Sequence, residues 1–140
     1  MAASETFKYY VPILIRYNDI DAQWHVNNAR AISFIEQARM SYLKHLGLWD
    51  AESFQDLGLI VADVHASYIA PIKYNQSIRV GVRVQRLGNK SMTFDYQIED
   101  KDTHAVLVKA ETVMVAYDYH TLKSIEVPEN WRKKILAYEE

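Results

Sequence analysis

The sequence predicts an α+β fold in which one antiparallel sheet covers one long helix, and three observations lead there. Apolar residues recur at helical spacing from 29 to 46, between two strand-like segments. Two later segments, Ile78 to Val84 and Met92 to Glu99, alternate strictly between apolar and polar side chains. Short polar stretches join these two to each other and to a third strand, which fits hairpins rather than parallel crossovers. A helix inserted near the start of such a sheet has to be buried by it.

Taken in order, Phe7 to Tyr17 reads as a strand, and Pro12, with no N–H to donate, confines it to an edge or a bulge. In the helix that follows, Ile32, Ile35, Arg39, Tyr42, Leu43 and Leu46 keep the period. Ala29, Ala38 and Met40 leave few wholly polar sides, so the helix is expected to be largely buried. Asn27 and Asn28 are capping candidates at its start; Lys44 and His45 complement the dipole at its end, and Gly47 lets the chain turn left-handed. Asp50 to Leu57 is expected to form a short second helical piece. Leu59 to Ile69 reads as a strand ended near Pro71, with Ile60, Ala62, Val64, Ala66 and Tyr68 on one face and Asp63, His65 and Ser67 on the other. LGNKS turns the chain between the two alternating strands, and EDKDTH turns it into a long strand from Val106 to Tyr117. After Pro128, Glu129 to Tyr138 suits a short terminal helix anchored by Trp131 and Ile135. There is no repeat and no linker, and a length of 140 residues fits a single domain over 1–140. Its edge strands invite pairing with a second copy.

Composition narrows the function. A formal net charge of -2, with basic residues scattered rather than clustered, gives no support to a nucleic-acid or membrane-surface role. The absence of cysteine rules out disulfides, thiolate metal sites and a cysteine nucleophile. The segment MAASETFKYY has no apolar run of signal-peptide length, and no window reaches the ~20 apolar residues of a membrane span. A soluble cytoplasmic protein is the expectation. No His, Asp or Glu set has metal-ligand spacing and no Gly-rich phosphate loop occurs, so no metal is expected.

The chemistry gathers at the helix entrance, in RYNDIDAQWHVNNARAISFIEQAR, residues 16 to 39. The first-turn N–H groups of a helix lack intrahelical acceptors and lie at the positive end of the dipole, which makes them an oxyanion site. Asp21 precedes Asn27 by six residues, a loop long enough to fold back over that turn, and Asp19 lies nearer the strand. A carboxylate beside an oxyanion hole is the minimum kit for acyl-transfer hydrolysis, as base for water or as nucleophile. Local reasons alone also place Asp and Asn in turns and caps, so a purely structural reading of Asp19, Asp21, Asn27 and Asn28 stands beside the catalytic one.

This stretch strongly resembles the signature of hotdog-fold thioesterases of the 4-hydroxybenzoyl-CoA thioesterase type: an Asp-x-Asp loop, a His-Val-Asn-Asn helix entrance and a Glu-x-Ala-Arg segment. Tyr68, Pro71 and Tyr74 in SYIAPIKYNQSIRV, then GNKSMTFDYQI and IEVPENW, carry the resemblance over nearly the whole chain. It implies a hotdog fold, a five-stranded antiparallel sheet wrapped around one long central helix, assembled as a homodimer or tetramer with sites at the dimer interface. It further implies Asp21 as the catalytic carboxylate, the Asn28 N–H polarising a thioester carbonyl, His25 and Asn27 shaping the loop or touching substrate, and Asp19 as a structural partner. The substrate would be an acyl-CoA or an acyl carrier protein thioester, with no separate cofactor. Many members have glycine where Trp24 stands, and its bulk is expected to narrow the acyl pocket or alter the loop. Ala31 replaces a common tyrosine, and Asn75-Gln76 stands where Gly-Asp is usual; these changes bear on substrate identity.

Glu36 is a secondary carboxylate candidate, but Arg39 three residues on favours an ion pair. Asp63, His65 and Ser67 form a row some 7 Å apart per step, too far for a relay, and read as outer-face residues. His45, His104 and His120 read as solvated. Arg83, Arg86 and Lys90 are candidates for coenzyme A phosphates, with a solvated-strand role as the alternative. Two other functions remain open: a hotdog hydratase or dehydratase using His25 with Asp21, and a non-catalytic acyl-thioester-binding module in which Trp24 has ended the chemistry.

Overall fold

A computed structural model of the protein describes residues 7–49 and 58–140. The helical piece expected over Asp50 to Leu57 lies outside the described residues. Strand β1 (Tyr9–Ile13) leads through a 3-10 turn at Tyr17–Asp19 into helix α1 (Asn28–His45), followed by strands β2 (Leu59–Tyr68), β3 (Ile78–Leu87), β4 (Ser91–Asp100), β5 (Val106–Asp118) and β6 (Lys123–Ser124), and helix α2 (Glu129–Glu139). The sheet runs β1-β3-β4-β5-β2, antiparallel throughout, with β6 folded back on the end of β5. It therefore has six strands where five were expected. The sixth spans two residues, Lys123 and Ser124, too few to leave an alternating pattern.

The first strand is also shorter than expected. The chain leaves the sheet after Ile13 because Asp19 folds back to accept from the Arg16 N–H at 2.8 Å, which closes the 3-10 turn. Pro12 sits on an edge strand, as its missing donor requires. The alternation of β3 and β4 sends Ile78, Val80, Val82 and Val84 together with Met92, Phe94, Tyr96 and Ile98 to one buried face.

α1 lies on that face and presents Ala31, Phe34, Ile35, Ala38, Tyr42 and Leu43, a stripe at i, i+3, i+4, i+7 spacing. The expected burial holds for this stripe and for Arg39; Ser33, Glu36, Gln37 and Lys44 are exposed, because the sheet reaches the helix from one side. The Asn27 side chain caps α1 by accepting from the Ala29 N–H at 2.9 Å, and Gly47 takes the left-handed φ of 72° beyond the other end. No helix among the described residues is long and apolar enough to cross a membrane.

β2 carries a correction. Ala62 is an extra residue, so the register passes from Val61↔Met114 to Asp63↔Val113. Cross-strand partners share a face, so Leu59 and Val61 point inward with Val64, Ala66 and Tyr68, while Ile60 joins Asp63, His65 and Ser67 outside. The simple period of two had put Ile60 and Ala62 with the inward set. The far edge of β2 has no strand partner among the described residues.

α2 closes the core with Trp131 and Ile135, both buried as expected. Its Glu139 carboxylate accepts from the Tyr42 hydroxyl at 2.5 Å and from the Val84 N–H at 3.1 Å. Burial, then the bond to Glu139, raises the Tyr42 pKa well above that of an ordinary tyrosine, so the hydroxyl remains a donor. Tyr42→Phe deletes this charge-assisted bond inside the core, and we expect a loss of about 2 kcal/mol in urea unfolding with an unchanged m value.

Candidate active site

The loop between the 3-10 turn and α1 is held by its own main chain. Asp19 is 1% exposed, and its carboxylate meets the Arg16 N–H, the Arg16 guanidinium at 3.4 Å and Arg30 Nε at 3.9 Å. Its carbonyl accepts from the Asn27 N–H at 2.8 Å. Within the loop, the Asp21 N–H donates to the His25 carbonyl at 3.0 Å and the Trp24 N–H to the Asp21 carbonyl at 2.9 Å. A bridge between Ile20 and Val26 ties the loop's two ends together. The Val26 N–H donates to the Ile72 carbonyl at 2.8 Å, and His25 pairs with Lys73, so the loop rests on the segment after β2.

The helix entrance then follows from its cap. Asn27 takes the Ala29 N–H with its side chain and the Arg30 and Ala31 N–H groups with its carbonyl. The Asn28 N–H meets no acceptor among the described residues. It stands at the positive end of an 18-residue helix. A cavity of about 270 Å³ opens there. Asp21, Gln23, His25, Asn27 and Asn28 form its polar wall, and Val26, Ala31, Ile72 and Val108 are among its apolar lining. Tyr68 lines it too, and its hydroxyl donates to the Asn28 carbonyl at 3.0 Å; burial raises its pKa, which keeps the proton on that oxygen.

Asp21 is exposed, and its carboxylate accepts from the Gln23 N–H at 2.9 Å, an Asx turn. It also lines a second cavity of about 480 Å³, with Tyr17, Asn18, Ile20, Ala22, Trp24 and Arg30. Trp24 belongs to this second cavity and not to the lining of the first, so its indole does not narrow the space beside Ala31. The Trp24 backbone has φ 62°, the left-handed region where glycine is favoured, which gives a physical reason for the glycine common at this position.

The remaining candidates lie apart. Glu36 is two turns along α1, half exposed, with its Oε2 3.7 Å from Arg39 Nη2. Arg39 is buried and donates from Nη1 to the Tyr96 hydroxyl at 3.3 Å, and its Nε finds no partner among the described residues. His65 faces outward beside Asp63 and Ser67. His45 and His104, read as solvated, are exposed, and each also makes a contact: His45 stacks on Tyr9 with ring centroids 4.7 Å apart, and His104 Nδ1 lies 3.6 Å from the buried Glu99. Arg83 is occupied by Asp95 at 3.1 Å. Tyr68, noted in the sequence only for its place on a strand face and in the resemblance, makes a contact with α1 that was not foreseen.

The model of the thioesterase-like superfamily matches residues 15–135. The chain belongs to that family. This membership classes it with the thioester hydrolases, as the signature in residues 16 to 39 implied. The chain is 27% identical to the long-chain acyl-CoA thioesterase FadM of Escherichia coli, across 88% of this chain and 93% of that protein. It is 23% identical to the acyl-CoA thioester hydrolase YbgC of the same species, across 85% of this chain and 89% of that one. A thioesterase from Thermus thermophilus, solved with coenzyme A and zinc, superposes with a TM-score of 0.85 at 27% identity, covering 96% of both chains.

Within this thioesterase-like domain, Trp24→Gly should relieve the left-handed strain, and the mostly exposed indole has little packing to lose. We expect a stability gain of about 1 kcal/mol in thermal unfolding, and a loss would mean that the indole holds the loop.

Proposed function

We propose that the protein hydrolyses acyl-CoA thioesters to the free acid and coenzyme A at the entrance of α1. The observation that carries this reading is a cavity lined at once by Asp21 and by Asn28, whose N–H has no acceptor among the described residues. A thioester carbonyl oxygen accepts that N–H, and the helix dipole favours the negative charge that develops on it. Asp21 either takes a proton from water as the water oxygen adds to the carbonyl carbon, or adds its own oxygen to form an anhydride that water then opens. The tetrahedral oxyanion collapses, the carbon–sulfur bond breaks, and the thiolate leaves. A thiolate is a good leaving group, so this route requires neither a metal nor a separate cofactor. His25 and Asn27 shape the wall, and Asp19 holds the loop. Glu36 has no role in this reading, since its place along α1 is away from that cavity.

We further infer that the working unit is at least a homodimer. The ten-residue β2 offers an edge with no strand partner among the described residues, and Val61 and Val64 are exposed on that strand. Substrate is expected to be met in solution in the cytoplasm, a reading that the absence of a membrane-spanning helix among the described residues supports.

The test is thiol release from a panel of acyl-CoAs. Asp21→Asn should keep the fold and lower kcat by ~10² or more, since removal of a base or nucleophile has that effect. A near-normal rate in that variant would exclude Asp21. Loss of an enoyl-CoA chromophore without free thiol would establish the hydratase instead. A single turnover in isotopically labelled water separates the two roles of Asp21, because the label enters its carboxylate only through an anhydride.

A further inference from the structure

The proposed reaction asks one main-chain N–H, that of Asn28, to hold the developing oxyanion, and a donor helps only if it points at the place where that charge forms. Asn28 is the first residue of α1, and helix ends fray. On its upstream side the aim is set locally. The Asn27 N–H is tied to the Asp19 carbonyl at 2.8 Å and the Asn27 side chain caps the Ala29 N–H, with the Asn27 backbone extended at φ -61° and ψ 141°. On its downstream side a tie comes from the sheet. The Tyr68 hydroxyl donates to the Asn28 carbonyl at 3.0 Å, the one hydrogen bond between β2 and α1 among the described residues. Tyr68 is itself held: it ends β2 opposite Val108, and the next two N–H groups, of Ile69 and Ala70, both donate to the Leu107 carbonyl, at 2.9 and 3.1 Å. The strand end that carries the hydroxyl is thus fixed by β5 and not by the loop.

We propose that Tyr68 is a positioning residue: by holding the Asn28 carbonyl to the sheet, its hydroxyl aims the Asn28 N–H into the cavity that both residues line. The inference rests on the reading of that N–H as the oxyanion donor. Two features set this role apart from stability alone. Tyr68 is 44% exposed, so its ring adds little to the core. The Asn28 carbonyl, in helical position, already accepts from the N–H four residues on, so the hydroxyl is a second donor there and its removal leaves no buried group unpaired. Position, in contrast, acts steeply on rate: a misplacement of about 1 Å lowers it by ~10²-fold. The single phenolic proton is committed to the Asn28 carbonyl and is not offered to the substrate.

The experiment uses Tyr68→Phe, which removes the oxygen and keeps the ring. Assayed on short, long and aryl acyl-CoAs well below its unfolding midpoint, the variant should lose about tenfold in kcat on every one, with KM within about twofold of wild type. A loss that sits in KM and changes with the acyl group would overturn the proposal by making Tyr68 an acyl contact, and an unchanged kcat would overturn it outright. A second readout needs no substrate. In backbone amide relaxation, the Asn28 order parameter should fall from about 0.85 in the wild type to about 0.6 in the variant, while Ile35 and Leu43 in the middle of α1 keep theirs. A lowered kcat with an unchanged Asn28 order parameter would mean that the hydroxyl acts on the substrate itself, and positioning is then refuted. Should the wild-type protein release no thiol, the thioesterase reading falls by itself. The relaxation measurement then decides alone: a fall confined to the helix entrance supports the hold of Tyr68 on Asn28, and no change refutes it.

Discussion

The site depends on a buried carboxylate. Asp19 is almost fully enclosed, and an ionised carboxylate in that position is tolerable only when its oxygens are met. The Arg16 N–H meets them, and the Asp19 carbonyl in turn holds the Asn27 N–H, so one residue ties the end of the first strand to the start of α1. The stretch from Ile20 to Val26 is thereby a closed loop with both ends pinned. Everything on it, Asp21 included, inherits a position relative to the free Asn28 amide. This is how a short surface loop gains a fixed geometry from its own main chain.

The two acids of the loop show how environment divides work between like residues. Asp19 is enclosed, with cations and a main-chain donor around it, and has no room for a ligand. Asp21 has one main-chain donor and two open spaces beside it. Nothing in the side chains distinguishes them. The difference is one of topology: the inward turn takes the first acid and the outward turn presents the second.

The edges of the sheet matter in the same way. β1 carries Pro12, which has no N–H to offer at that edge, and β2 is bulged at Ala62, where its pairing with β5 slips by one residue. The bulge turns Val61 rather than Ile60 towards α1, which sets Leu59 and Val61 along the cavity wall near Glu36 and Arg39. Arg39 is buried, and its Nε has no partner among the described residues, while its Nη groups reach Tyr96 and Glu36.

Much was legible before any coordinates. Local interactions decide helix period, caps and hairpins, so α1 with its Asn27 cap and Gly47 stop, the alternating faces of β3 and β4, and the anchors Trp131 and Ile135 could be read directly. Residue type in order also sufficed to single out the loop acids and the helix entrance. What escaped were features that need contacts across the chain. The bulge at Ala62 shows only in the pairing of β2 with β5, and β6 is too short for a pattern. The Tyr68 bond to Asn28 joins residues forty apart, and the left-handed backbone at Trp24 is an angle that only the folded loop fixes. The sequence by itself determined which groups meet at the helix entrance, because short-range propensities and spacing suffice for that. Only the tertiary structure decided which acid is sealed and which is open, and that Asp21 borders two cavities rather than one, because burial and enclosed space exist only once distant segments pack.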